Sequence, residues 1–139
     1  MTAHDAVRDR LAELPPFRTC TKREIGEIAA LATQVDVPAG THLTQEGKRG
    51  NEFGIVVAGS ASVTQGGHEV HVLGVGDSYG EMALIDDGPR TATIVAKTPM
   101  TLAVVGRGEF DDLLDRVPQV ARSIMLGLAR RIRELESHT

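Results

Sequence analysis

The strongest constraint on the fold of this chain is that its hydrophobic period changes twice. From Val35 to Val105 apolar residues tend to alternate with polar ones, whereas the flanking segments repeat every three to four residues. Alternation places successive side chains on opposite faces of a strand, so the middle of the chain has to form sheet. Turn residues break it at short intervals: 38–40, Gly47, Gly50, Gly59, 66–67 and 74–77. The strands must therefore be short, and the clearest candidates are 53–57, 60–64, 69–73, 91–96 and 101–105. A run of this kind, rich in Val and Thr, predicts a sandwich, roll or barrel rather than a parallel sheet with crossover helices.

The flanks read as helices. Val7, Leu11 and Leu14 share a face until Pro15 and Pro16 stop the pattern. Thr21 and Glu24 have capping-box spacing ahead of Ile25, Ile28, Leu31 and Ala32. After Gly106 a helical period returns, first through Phe110 and Leu113, then from Pro118 through Val120, Ile124, Leu128, Ile132 and Leu135. That last stripe gives the helix one apolar face to lay on the sheet or on a partner's equivalent helix. Gly127 lies inside it at a cost of about 1 kcal/mol, which predicts close packing or a bend there, with packing favoured. The expected organisation is one domain over 1–139, with N-terminal helices over about 3–33, strands over about 35–106 and C-terminal helices over about 107–136.

Composition narrows the function. The formal net charge is -4 and aromatic residues make up 3% of the chain. Such a chain repels a polyphosphate backbone and has no set of rings on which bases could stack, so no direct nucleic-acid partner is expected. An anionic ligand needs a local cation or helix terminus that overcomes this background. Cys20 is the single cysteine, which favours a reducing compartment and a packed thiol over a nucleophile. The N-terminal segment has no apolar signal-like core and no run reaches membrane-spanning length, so a cytoplasmic location without membrane association is expected.

The segment from Gly76 to Ala96 carries the chemistry. Gly80 permits an unusual turn, and 81–85 (EMALI) reads as one helical turn whose first N–H groups lack intrahelical partners and suit phosphate oxygens. Arg90 offers a planar fork of donors that stays charged when partly buried. Glu81 offers a carboxylate that accepts from a vicinal hydroxyl. An ordinary salt bridge between Glu81 and Arg90, bracing a loop, is the plainer reading of the same two residues.

Tyr79, Gly80, Glu81, Met82, Ala83 and Leu84, followed after a short spacer by Pro89, Arg90, Thr91 and Ala92, resemble the phosphate-binding cassette of the cyclic nucleotide-binding domain family. Gly47, Gly59, Leu73, Gly76, Asp77, Ala96 and Leu102 fit the same pattern, so the resemblance runs from Leu11 to Leu135. It implies a mainly β fold with flanking helices: a jelly-roll-like β-roll with N-terminal helices and a longer C-terminal helix. It also implies a ligand, cAMP with cGMP left open, and no cofactor, metal or catalytic residue. Glu81 would take the ribose 2′-hydroxyl, Arg90 the exocyclic phosphate oxygens, and the backbone near Gly80, Met82 and Ala83 the same phosphate, with Thr91 reaching phosphate or base. The base-capping residue is expected between Ile132 and Glu136, on a helix that moves when ligand binds and that serves a homodimer or partner protein. Few residues follow that helix, so the helix-turn-helix of bacterial transcription-factor relatives is not expected. Two positions depart from the family pattern: Tyr79 replaces Phe, and Gly54 stands where a larger aromatic is common.

Two other function classes compete. One is a protein-interaction module with a vestigial, empty pocket, which intact Glu81 and Arg90 disfavour. The other is a cupin-like metalloenzyme, which lacks its His-x-His pair here; His68 and His71, three apart on a strand, are expected on opposite faces. Glu109, Asp111, Asp112 and Asp115 stand early in a helix, where acids favour the dipole rather than catalysis.

Overall fold

The structure, a computed structural model, describes residues 3–137. Helix α1 (Ala3–Glu13), a 3-10 turn (Pro15–Phe17) and α2 (Lys22–Leu31) precede the strands. These are β1 (Thr33–Val37), β2 (His42–Thr44), β3 (Glu52–Ala58), β4 (Ala61–Gln65), β5 (His68–Leu73), β6 (Ser78–Tyr79), β7 (Thr93–Ala96) and β8 (Met100–Gly106), with α3 (Glu81–Ile85) inserted before β7. Helices α4 (Arg107–Arg116) and α5 (Pro118–Ser137) follow. The strands form two four-stranded antiparallel sheets, β1-β8-β3-β6 and β2-β7-β4-β5, so the expected mainly β roll with flanking helices is the fold observed.

The first sheet is covered on both faces, and this explains why 53–57 reads as a continuous apolar run instead of an alternating one. From β3, Phe53, Ile55 and Val57 join Val7, Leu11, Phe17, Ile25, Ile28, Phe110 and Leu113 in a core beneath the helices. Val56, from the opposite face of β3, joins Val63, Leu73, Ile94, Met100 and Leu102 between the two sheets. Phe53 and Phe110 meet at a centroid distance of 5.2 Å with tilted rings, tying β3 to α4. The capping box is present at α2: Glu24 N donates to Thr21 Oγ1 at 3.1 Å and Thr21 N donates to Glu24 Oε1 at 2.8 Å.

Three expectations are corrected. Strand β5 carries a bulge: His71 registers with Val63, Glu69 with Thr64 and His68 with Gln65, leaving Val70 extra. Val63 and Gln65 share one face of β4, so His68 and His71 lie on the same side, and the opposite-face argument fails. Among the described residues no group of three His, Cys, Asp or Glu is arranged to hold a metal ion. Gly127 is exposed and a Cβ there would meet nothing within 4 Å, so its place in α5 is not explained by close packing. The apolar stripe of α5 is only half used: Val120 and Ile124 are buried in the helical core and Leu128 packs against its edge, while Ile132 and Leu135 are 55% and 68% exposed. Helix α5 thus rests on α4 and the 3-10 turn, where Gln119 Nε2 donates to Pro16 O at 3.2 Å, rather than on the roll. Among the described residues no helix is long and apolar enough to cross a membrane.

The division of α5 sets an energetic contrast. Ile124→Ala is expected to cost about 2 to 5 kcal/mol of stability, whereas Leu135→Ala should stay within about 0.5 kcal/mol. Urea denaturation of both variants measures this, and equal losses would mean that the outer half of the helix is packed in solution.

Candidate functional site

The site forms where β6 ends. Gly80 adopts a left-handed conformation (φ 89°) and serves as the N-cap of α3, which begins without a side-chain cap. Only glycine fits this position, because a Cβ would stand 2.5 Å from Glu52 O and 2.6 Å from Arg90 Nη1. The first N–H groups of α3 therefore open beside an arginine. Ala83 is buried under the short helix and Met82 is half-buried.

Arg90 is the charged residue that the fold encloses: its relative exposure is 8%. Its backbone is pinned to the β2–β3 loop, donating to Lys48 O at 2.7 Å and accepting from Gly47 N at 2.9 Å. Its Nη1 donates to Gly80 O at 3.3 Å. The guanidinium lies so close to Gly50 that a Cβ there would be 2.8 Å from Nε and 2.9 Å from Cζ. Burial lowers the Arg90 pKa and nearby Tyr79 and Glu52 raise it, yet a guanidinium keeps its charge at neutral pH. Enclosure thus yields a desolvated cation whose attraction for an anion is weakly screened.

Glu81 follows Gly80, whose carbonyl Arg90 holds, and it feels the charge of that cation. Its Oε2 is buried and has no hydrogen-bond partner, so the two residues do not form the loop-bracing bridge that the plainer reading requires. Burial raises the Glu81 pKa; a bond to its own backbone and the charges of Arg131 and Arg90 oppose the rise. A buried acceptor without a donor is costly, and a ligand hydroxyl would satisfy it. Thr91 is exposed at the far end of the segment, where its carbonyl accepts from Gln65 Nε2 at 3.0 Å.

The two positions that depart from the family pattern face each other across the sheet. Gly54 on β3 registers with Tyr79 on β6, and a Cβ at Gly54 would overlap the Tyr79 ring. The Tyr79 ring occupies the space that a side chain at position 54 would need. Tyr79 is buried, and burial together with Glu52 pushes its pKa up to about 12, with Arg90 pulling the other way.

Sequence reasoning missed two participants. Gly50 was legible only as a turn, and Arg107 not at all, because both act through contacts between distant segments. Arg107 Nη2 donates to Gly50 O at 2.6 Å and to Ala83 O at 3.2 Å, and its Nη1 lies 3.0 Å from Asp87 Oδ1.

Comparison with known proteins agrees with this geometry. The model of the cyclic nucleotide-binding domain family matches residues 34–117, and the chain belongs to that family. Among curated relatives, the cAMP-dependent protein kinase regulatory subunit of Pyricularia oryzae is 37% identical over 115 residues, which is 81% of this chain and 29% of the relative. That of Aspergillus niger is 37% identical over 114 residues, 81% of this chain and 28% of the relative. The chain thus spans less than a third of the length of these relatives. Among solved structures, the Thermus thermophilus catabolite activator protein superposes with a TM-score of 0.78 at 29% identity, covering 89% of this chain and 61% of the other. The Toxoplasma gondii protein kinase A regulatory domain with cAMP gives 0.76 at 26%, covering 89% and 49%.

Two outcomes test the local physics. Gly54→Ala should cost about 1 to 3 kcal/mol through overlap with the ring, and much less in a Tyr79→Ala background. A double-mutant cycle by denaturation reads the coupling, and additive losses would reject the steric conflict. Glu81→Gln should raise the ligand-free melting temperature at neutral pH by roughly 2 to 8 °C. The sign follows from a folded pKa held above the ordinary 4.5: the carboxylate destabilises the fold above its folded pKa, and the penalty disappears as acid protonates it. The gain should therefore shrink as the pH falls toward 4.5, and a gain independent of pH would remove the explanation.

Proposed function

We propose that this chain is a cyclic nucleotide sensor, with cAMP as the ligand of first choice, that turns occupancy into a change at its C-terminal helix. One observation carries the reading: a buried guanidinium at Arg90 and an orphaned buried carboxylate oxygen at Glu81 flank the uncapped start of α3. A cyclic phosphate supplies the negative charge that the first lacks, and a ribose hydroxyl supplies the donor that the second lacks. The roles follow from the chemistry of the atoms. Arg90 and the N–H groups from Gly80 through Ala83 hold the phosphate, Glu81 holds the ribose, and Thr91 borders phosphate or base.

The cAMP preference rests on likeness, since the relatives that match over most of this chain are cAMP-dependent kinase regulatory subunits. Binding rather than turnover is the output of such a site. Cytosolic action accords with a chain whose one cysteine is a thiol. Coupling to α5 has its own support. Arg131 on that helix acts electrostatically on Glu81, and the adjoining stretch through Ile132 and Leu135 is uncovered, so it is available to fold over a bound base or to meet a partner protein. Ligand would drive that movement only by binding the closed arrangement more tightly than the open one.

Isothermal titration of cAMP and cGMP against the unsubstituted chain and Arg90→Ala tests the proposal. The substitution is expected to weaken binding by about 2 to 4 kcal/mol, or roughly 30- to 1000-fold, because it leaves a desolvated phosphate unpaired. Amide exchange across 120–135 in the same samples should slow on addition of ligand. Failure of the unsubstituted chain to bind either nucleotide would favour an interaction module with an empty pocket.

A further inference from the structure

Arg107 sits outside the cassette in sequence, at the first position of α4, yet both Nη atoms of its guanidinium are engaged on the cassette's frame, while its buried Nε has no hydrogen-bond partner. Nη2 donates to the carbonyl of Gly50 in the β2–β3 loop at 2.6 Å and to that of Ala83 in α3 at 3.2 Å. Nη1 pairs at 3.0 Å with Asp87, which holds a left-handed conformation (φ 59°) in the turn leading to Arg90. Its backbone N donates to Asn51 O at 2.9 Å, so main chain and side chain grip the same loop.

The contacts are unequal. Asp87 is 75% exposed on its side chain, and such a pair contributes little. A charged donor on a carbonyl at 2.6 Å is the stronger hold. Gly50 is therefore the pivot: Arg107 takes its carbonyl, while its Cα faces the Arg90 guanidinium and the Ala83 methyl, with a hypothetical Cβ 2.8 Å from Arg90 Nε and 2.7 Å from Ala83 Cβ. Any drift of Gly50 would move Arg90, and any drift of α3 would move Glu81.

We propose that Arg107 is the positioning residue of this site, locking the β2–β3 loop, α3 and the Asp87 turn into one frame that aims Arg90 and Glu81, without itself meeting ligand. The inference rests on the nucleotide reading above, in that the aimed groups are the ones assigned to phosphate and ribose. It also makes the β8–α4 junction a mechanical link between the site and the helices.

The test compares the unsubstituted chain with Arg107→Lys, Arg107→Ala, Asp87→Asn and, as a direct-contact control, Arg90→Ala. Lysine keeps the charge and loses the planar fork, so it separates geometry from field. Two quantities are read: amide exchange in ligand-free protein, comparing 80–88 with β3 and β8, and the cAMP dissociation constant by titration. Arg107→Lys is expected to speed exchange over 80–88 by about tenfold, leave β3 and β8 unchanged, and weaken cAMP binding by about tenfold. Asp87→Asn should change both by less than about threefold, since Asn keeps the left-handed turn and the lost pair is exposed. Full affinity in Arg107→Lys would overturn the proposal in favour of a simple charge effect. Equal acceleration throughout β3 and β8 would overturn it in favour of general stabilisation. If the unsubstituted chain binds no cyclic nucleotide while Arg107→Lys still loosens only 80–88, the nucleotide reading falls and the frame is upheld.

Discussion

Enclosing the guanidinium of Arg90 is the constraint around which the roll is organised. A charge taken out of water has to recover its solvation from fixed dipoles or from a ligand. Here the protein supplies only part of that recovery: the Gly80 carbonyl accepts from Nη1, Glu52 and Tyr79 contribute favourable potential, and the positive Arg107 opposes it. Two glycines make the enclosure possible, since any side chain at Gly50 or Gly80 would occupy the volume of the guanidinium. The left-handed turn, the short helix and the pinned loop are consequences of bringing backbone that close to a cation.

The same geometry explains why Glu81 is not neutralised by its neighbour. Were the two side chains paired, each would satisfy the other and the site would be a structural bridge. The fold leaves them unpaired instead, with Arg90 Nη1 on the Gly80 carbonyl and Glu81 Oε2 buried and unpartnered. Unsatisfied groups of this kind reduce stability and are retained where a ligand completes them. On the proposed reading, stability and recognition are opposed in this one carboxylate, and the burial that raises its pKa is the cost on the stability side.

What the sequence revealed follows the range of the interactions. Local signals were legible: the Thr21–Glu24 capping box, Pro118 at a helix start, the turn glycines and the strands β3, β4, β5, β7 and β8 depend on neighbours a few residues away. The cassette residues were legible because their spacing is itself a pattern. Strands β2 and β6, of three and two residues, carry too little alternation to be read. The bulge at Val70 was invisible because it arises from pairing with β4, and it reversed the facing of His71 relative to His68. The Gly54–Tyr79 contact and the Arg107 contacts join positions 20 residues or more apart, where one chain without its fold offers no periodicity to detect.

Those long-range contacts decide how local binding can become a larger change. Besides the pairing of β6 with β3 and the contact of Leu84 with the helical core, the cassette is tied to the rest of the molecule by the β2–β3 loop and by Arg107 at the head of α4, and α4 packs on α5 within that core. A displacement of α3 by a bound phosphate would therefore be felt at the Ala83 and Gly50 carbonyls, whereas the first sheet is held in register by pairing along the length of β8. Sheets whose registers are fixed by burial resist sliding, whereas a helix held by Val120, Ile124 and half of Leu128 has far less to lose by moving. On the proposed reading, the paired first sheet is the frame and the uncovered distal half of α5 is the element that a ligand would shift, provided that it binds the closed arrangement more tightly.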